Sequence, residues 1–125
     1  MTDEELKKFL YDRGWPQSNI DIYLRDKCRC QYCGADGLES LDAYTHLVGD
    51  HVIPRDMNGE EDPNKNIVVA CARCNGLKGS KLPVPPEELI PKSRQERVNK
   101  IKSWLEERRK PDREAWDAFR QWAKK

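Results

Sequence analysis

A chain of 125 residues, 36% charged and 37% hydrophobic, fits one soluble domain with at most a helical appendage. No apolar run approaches the roughly 20 residues of a membrane span. The acidic, amphipathic start "MTDEELKKFL" has the composition of neither a signal nor a transit peptide, so a cytoplasmic protein without membrane contact is expected. The net charge of +1 hides an asymmetry. Residues 91–125 hold 12 Lys and Arg against 6 Asp and Glu, whereas residues 1–90 hold 11 against 16. A basic tail on an acidic body points to a polyanion or to an ordinary solvated helix pair, and charge alone does not choose between them.

"TDEELKKFLYDRGWP" opens with Thr2 and Glu5 at capping-box spacing, and Leu6, Phe9 and Leu10 form an apolar stripe. "SNIDIYLRDKCR" repeats the device with Ser18 and Asp21, and Ile20, Tyr23 and Leu24 are expected to face inward. Two short helices are therefore predicted ahead of the cysteines. "CQYCGADG" reads as a tight, Gly-rich turn. "DAYTHLV", Asp42 to Val48, reads as a strand from its β-branched and aromatic residues. "PRDMNGEEDPNK" (54–65) is a polar loop, and "NIVVAC", Asn66 to Cys71, is a second strand. "CNGLKGSK" is a helical turn or two, weakened by Gly76 and Gly79, and "LPVPPEELIP" is a Pro-rich connector. Ser93 and Glu96 cap a helix that carries Val98, Ile101, Trp104 and Leu105 up to Pro111. A final helix after Pro111 sets Trp116, Phe119, Trp122 and Ala123 on one side, as core and docking surface.

The five cysteines are Cys28, Cys30, Cys33, Cys71 and Cys74. Their odd count and paired spacing argue against a secreted disulfide framework. Cys30-x-x-Cys33 and Cys71-x-x-Cys74 form two knuckles separated by 37 residues, room for a hairpin between them. Together they can present four thiolates as a tetrahedral site for zinc, or for iron as a second choice. The alternative is a set of buried or redox-active thiols. Cys28 falls outside the C-x-x-C pattern and reads as a small apolar filler. A closed four-sulfur site holds a fold together and does no chemistry, so function has to come from other residues.

Asp50 and His51 are placed just past the first strand, Asn66 at the start of the second, and Asn75 directly after the last cysteine, with Lys78 one turn on. A strand, loop, strand and helix bring these residues into one region. A carboxylate from Asp50 and a carbonyl oxygen from Asn75 are hard ligands that suit Mg²⁺ or Mn²⁺. His51 can take a proton from water. Asn66 can bond to the loop or ring of His51, and Lys78 can pair with a phosphate. Each has a plainer alternative: a surface turn for the Asp-His pair, a strand start for Asn66, a helix cap for Asn75 and a solvated charge for Lys78. Arg55 and Arg73 are weaker phosphate candidates. Strand alternation puts His46 on the face of Val48 as a half-buried or supporting histidine.

The order "CQYCG…DHVIP…N…CARCNGLK" resembles the HNH endonuclease family over roughly residues 25–82. That resemblance implies an α+β fold: a small ββα-metal (His-Me finger) core with a four-cysteine zinc site. It divides the chain into N-terminal helices (1–27), the core (28–82), and a linker with a basic C-terminal helical region (83–125). It implies His51 as general base and Asn66 as the residue that orients it. Asp50 and Asn75 become ligands of the catalytic ion, and Cys30, Cys33, Cys71 and Cys74 hold structural Zn²⁺. Many members have His where this chain has Asn75, a change that tilts the catalytic ion towards Mg²⁺ or Mn²⁺. The expected substrate is double-stranded DNA, cut by a monomer or a homodimer. The rival expectations are a zinc-stabilised nucleic-acid-binding module without activity and a rubredoxin-like iron carrier, which leaves Asp50, His51, Asn66 and Asn75 unexplained.

Overall fold

The structure, a computed structural model, describes residues 1–125 except for the side chains of Gln17 and Ser18. Helix α1 spans Asp3–Tyr11, and the Thr2 hydroxyl accepts from the Glu5 backbone N–H at 3.1 Å, as the capping box predicts. Helix α2 covers Gln17–Arg25; the predicted Ser18 cap lies outside the described residues. Ile20 and Tyr23 face inward as expected, but Ile22 is buried in place of Leu24, which is 38% exposed.

The strand expected over Asp42–Val48 forms only at its end. Residues Leu41–Thr45 are instead a short helix, α3, because the Ser40 hydroxyl accepts from the Ala43 N–H at 3.0 Å and Asp42 sits in the first turn. A local cap and acidic first turn outweigh β propensity here. His46 caps the end of α3, with Nδ1 2.7 Å from the Asp42 carbonyl, so it lies on no strand face and is exposed. Strand β1 then runs Leu47–His51, so Asp50 and His51 are its last two residues rather than the first beyond it.

A 3-10 turn (Arg55–Met57) and α4 (Pro63–Asn66, capped by Asp62) carry the chain to β2, Ile67–Cys71. The two strands pair antiparallel, with Asp50 opposite Val68 and His51 opposite Ile67. The outer edge of β2 is covered from the α2 end: the Val69 N–H donates to Asp26 Oδ2 at 2.8 Å and Arg25 donates to the Ile67 carbonyl at 2.6 Å. Helix α5, Ala72–Lys78, follows at once, with the Cys71 sulfur as its cap.

The Pro-rich connector contains a single turn, α6 (Pro86–Leu89). One helix, α7, then runs Arg94–Ala123. Ser93 caps it as predicted: its hydroxyl accepts from the Glu96 N–H at 3.2 Å and donates to Glu96 Oε1 at 3.1 Å. The break expected at Pro111 does not occur. Strong helix formers flank Pro111, and every residue from Lys110 onward is exposed, so the missing N–H disturbs no packed contact. Trp116, Phe119 and Trp122 are 54%, 59% and 69% exposed and belong to no core. Val98, Ile101 and Leu105 do: they share one apolar cluster with Tyr32, Val52, Ile53, Val68, Val69 and Leu89. No helix is long and apolar enough to cross a membrane.

The loop after β1 closes on itself at Gly59, whose N–H donates to the Pro54 carbonyl at 3.0 Å. A Cβ at Gly59 would stand 1.8 Å from the Ile53 carbonyl oxygen. Backbone on both sides leaves little room to yield, so Gly59→Ala should cost about 3 kcal/mol in thermal or denaturant unfolding. A loss under about 0.5 kcal/mol would show that this loop is not held as described.

Candidate functional site

Two sites share the ββα frame. In the first, Cys30 and Cys33 come from the turn after α2, Cys71 ends β2, and Cys74 lies in the first turn of α5. Their sulfur atoms all lie within 4.8 Å of one another, and Cys33 and Cys71 are 3.7 Å apart. A tetrahedron with Zn–S bonds of about 2.3 Å has edges of about 3.8 Å, so the cluster has the size that zinc requires. The backbone N–H groups of Cys33 and Cys74 point at the sulfurs of Cys30 and Cys71, at 3.5 and 3.4 Å, as a metal knuckle needs. The bond from Cys74 holds the Cys30 thiol down to about 4 and pushes Cys74 itself well up, so one thiolate forms readily while Cys71 and Cys74 resist. A divalent cation would let the remaining thiols ionise. Cys28 is half-buried against the core and stands outside this group.

The second site is an open cleft of about 540 Å³. Asp50 and His51 enter it from the end of β1, Arg55 from the loop, and Asn75 and Lys78 from α5. Of the expected site residues, these five share the cleft. Arg73 does not: it lies beside Cys33 and lines a different groove.

Asp50 is 5% exposed, and its carboxylate accepts from the Tyr32 hydroxyl at 2.6 Å. Lys78 Nζ lies 3.3 Å from the same carboxylate and donates to the His51 carbonyl at 3.0 Å. Lys78 is 1% exposed, so it is an internal partner of Asp50 rather than a free surface cation. Burial pushes the Asp50 carboxyl above its ordinary range despite the pull of Lys78 and Tyr32. Burial also lowers Lys78, against the pull of Asp50. Desolvation thus leads for both partners, and the pair shapes the site more than it stabilises the fold.

His51 Nε2 lies 3.0 Å from Glu61 Oε2 and 3.3 Å from Arg55 Nε, and Arg55 Nε donates to Glu61 Oε1 at 2.8 Å. The Glu61 contact requires a proton on Nε2, whereas the Arg55 contact requires its lone pair, so the two exclude one another. His51 holds the Glu61 carboxyl below the usual carboxylate range, with Arg55 adding to the effect. Neither Glu61 nor Tyr32 was expected. Glu61 sits in a run of loop formers, and Tyr32 lies between two cysteines whose spacing drew the reading.

Asn66 is fully buried behind the cleft. Its Oδ1 accepts from the Ile53 N–H at 2.8 Å, and its Nδ2 donates to the carbonyls of Ile53 at 2.9 Å and Glu60 at 3.0 Å. Asn66 therefore clamps the loop that follows His51 and does not touch the ring. Arg97 from α7 backs this clamp: it donates to Asn66 Oδ1 at 3.1 Å, to Glu60 at 3.0 and 3.2 Å, and to the carbonyls of Lys65, Leu89, Ile90 and Lys92. Arg97 holds the Glu60 carboxyl below its ordinary value of 4.5. A depressed acid adds stability above that value, and the contribution is lost as pH falls through the folded-state value. Unfolding followed between pH 6 and pH 3 should therefore show a steeper loss for the parent chain than for Glu60→Gln. Parallel curves would remove this link.

With this geometry in hand, comparison with known proteins gives a consistent result. Residues 30–81 match the family model of HNH endonucleases. The matched span takes in both cysteine knuckles, β1, β2 and α5, and leaves α1, α2 and α7 outside. The chain is also similar to the CRISPR-associated endonuclease Cas9 of Corynebacterium diphtheriae, with 32% identity over 82 residues. The similarity covers 62% of this chain and only 7% of that protein. No solved structure matches. The expected resemblance to HNH endonucleases is thus found over residues 30–81, and it supports a nuclease-type function.

Proposed function

We propose that this chain is a metal-dependent HNH endonuclease that hydrolyses phosphodiester bonds of DNA, with 28–82 as its catalytic core and the helices of 1–27 and 83–125 as flanks. The observation that carries this reading is the cleft where Asp50, His51 and Asn75 meet beside a four-sulfur cluster of zinc dimensions. A structural Zn²⁺ would fix α5, and with it Asn75, against the end of β1.

The Asp50 carboxylate and the Asn75 side-chain carbonyl are the oxygen donors that would hold Mg²⁺ or Mn²⁺. That ion supplies charge stabilisation for the phosphate and the leaving 3′ oxygen. His51 takes the proton from the attacking water through a ring nitrogen that carries a lone pair; Nε2 can do so only without its own proton, and so only after its contact with Glu61 gives way. Asn66 keeps the backbone after His51 in place. Arg55, 70% exposed on the cleft rim, is available to a phosphate once it leaves Glu61. Lys78 holds the carboxylate that would ligate the ion, and its ammonium lines the cleft where it would add positive charge towards an incoming phosphate.

Incubation of the purified chain with supercoiled plasmid in Mg²⁺ or Mn²⁺ should give nicked circles. A gel shift without cleavage in Mg²⁺, Mn²⁺ and Ni²⁺ would favour a binding module instead, with Lys78 as the permanent occupant of the Asp50 carboxylate.

A further inference from the structure

Helix α7 reaches the cysteine cluster as well as Asn66. Arg109 Nη2 donates to the sulfur of Cys74, itself fully buried. The Arg109 Nε is also buried and has no hydrogen-bond partner. A half-buried guanidinium with its Nε desolvated in this way is favoured by negative charge nearby. One Zn²⁺ held by four thiolates would carry a net charge of 2−, and the Arg109 guanidinium stands against one of the sulfurs.

We propose that Arg109 is a charge-balancing partner of the metal site at Cys30, Cys33, Cys71 and Cys74, and that it couples zinc binding to the docking of α7. This rests on the zinc reading above. Arg109 lies beyond residue 81, outside the matched segment, and is supplied by the C-terminal helix. An N–H donor on a ligating thiolate draws charge from the sulfur, and loss of such an outer partner typically costs about 10–100-fold in metal affinity. The coupling runs both ways: thiolates bound to zinc hold Arg109, and α5 packs against α7 at that point.

The test uses the full chain as the parent, Arg109→Ala and Arg109→Lys. Metal analysis should find one zinc per chain in the parent, and transfer of zinc to a colorimetric chelator should run about 10–100-fold faster in Arg109→Ala. Arg109→Lys keeps the charge, loses the fork, and should fall between the two. In the cobalt-substituted protein, the sulfur-to-metal charge-transfer band of Arg109→Ala should move to longer wavelength, a change that loosened packing alone would not produce. Stripping zinc from the parent should raise amide exchange in α7 around Leu105 and Arg109. Should Arg109→Ala fail to fold, Arg109→Lys provides the same comparison. One bound zinc with equal transfer rates and an unchanged cobalt band would overturn the role of Arg109 and leave the zinc reading standing. A parent chain that binds neither zinc nor cobalt would overturn both.

Discussion

Replacing His51 by alanine should lower metal-dependent plasmid nicking by about 10²- to 10⁴-fold, the range that a positioned general base contributes. The protein should nevertheless keep its fold. The ring's partners are Glu61 and Arg55, whose side chains are 64% and 70% exposed, so its loss orphans no buried group. Asp50, Asn75 and the cysteine cluster also stay in place. Unchanged thermal unfolding with lost cleavage is the expected pair of results. Full cleavage by the variant would remove His51 from the mechanism, and a collapsed melting transition would give it a structural role that its exposed partners do not suggest.

Arg97→Ala should show the opposite pattern. Arg97 is fully buried and serves three elements at once: Glu60 in the loop, Asn66 at the end of α4, and the carbonyls around α6. Its removal leaves the Glu60 carboxylate and several buried oxygens without a donor. The Glu60 side chain is 32% exposed, so water takes up part of its loss, but each buried oxygen left without its donor costs about 1–3 kcal/mol, and together they are a large share of the stability of a domain this size. Denaturant unfolding measures it. Cleavage by the folded fraction should fall too, because Asn66 loses a partner while it clamps Ile53. A change under about 1 kcal/mol would show that water replaces the guanidinium without cost, and that α7 is not tied to the cleft through this residue.

What could be read along the chain, and what could not, follows from the range of the interactions concerned. The cysteine knuckles and the Thr2 and Ser93 caps depend on residues three apart, so spacing reveals them. The same short range explains the error at Asp42–Thr45: aromatic and β-branched residues suggested a strand, but Ser40 just upstream supplies a helix cap. The cleft was legible as a meeting of Asp50, His51 and Asn75 because the cysteines fix the hairpin and the helix. Their partners were less legible. Tyr32 reaches Asp50 across 18 positions, Lys78 across 28, and Arg97 reaches Asn66 across 31. No local pattern carries such pairs; the packing of α7 and the knuckles creates them. The exposure of Trp116, Phe119 and Trp122 was hidden for a related reason, since helical periodicity shows a face and not what covers it.

The cleft at the end of β1 is proposed to cut DNA by attack of water, with departure of the 3′ oxygen. The most direct measurement is the chemistry of the ends made on supercoiled plasmid, compared for the parent and His51→Ala across Mg²⁺ and Mn²⁺. The parent should leave nicks whose 3′-hydroxyl a polymerase extends without further treatment, in either metal and not in chelator, and His51→Ala should leave the plasmid supercoiled. Intact plasmid in every metal, nicks equally frequent in the variant, or ends blocked at the 3′ side would contradict the account.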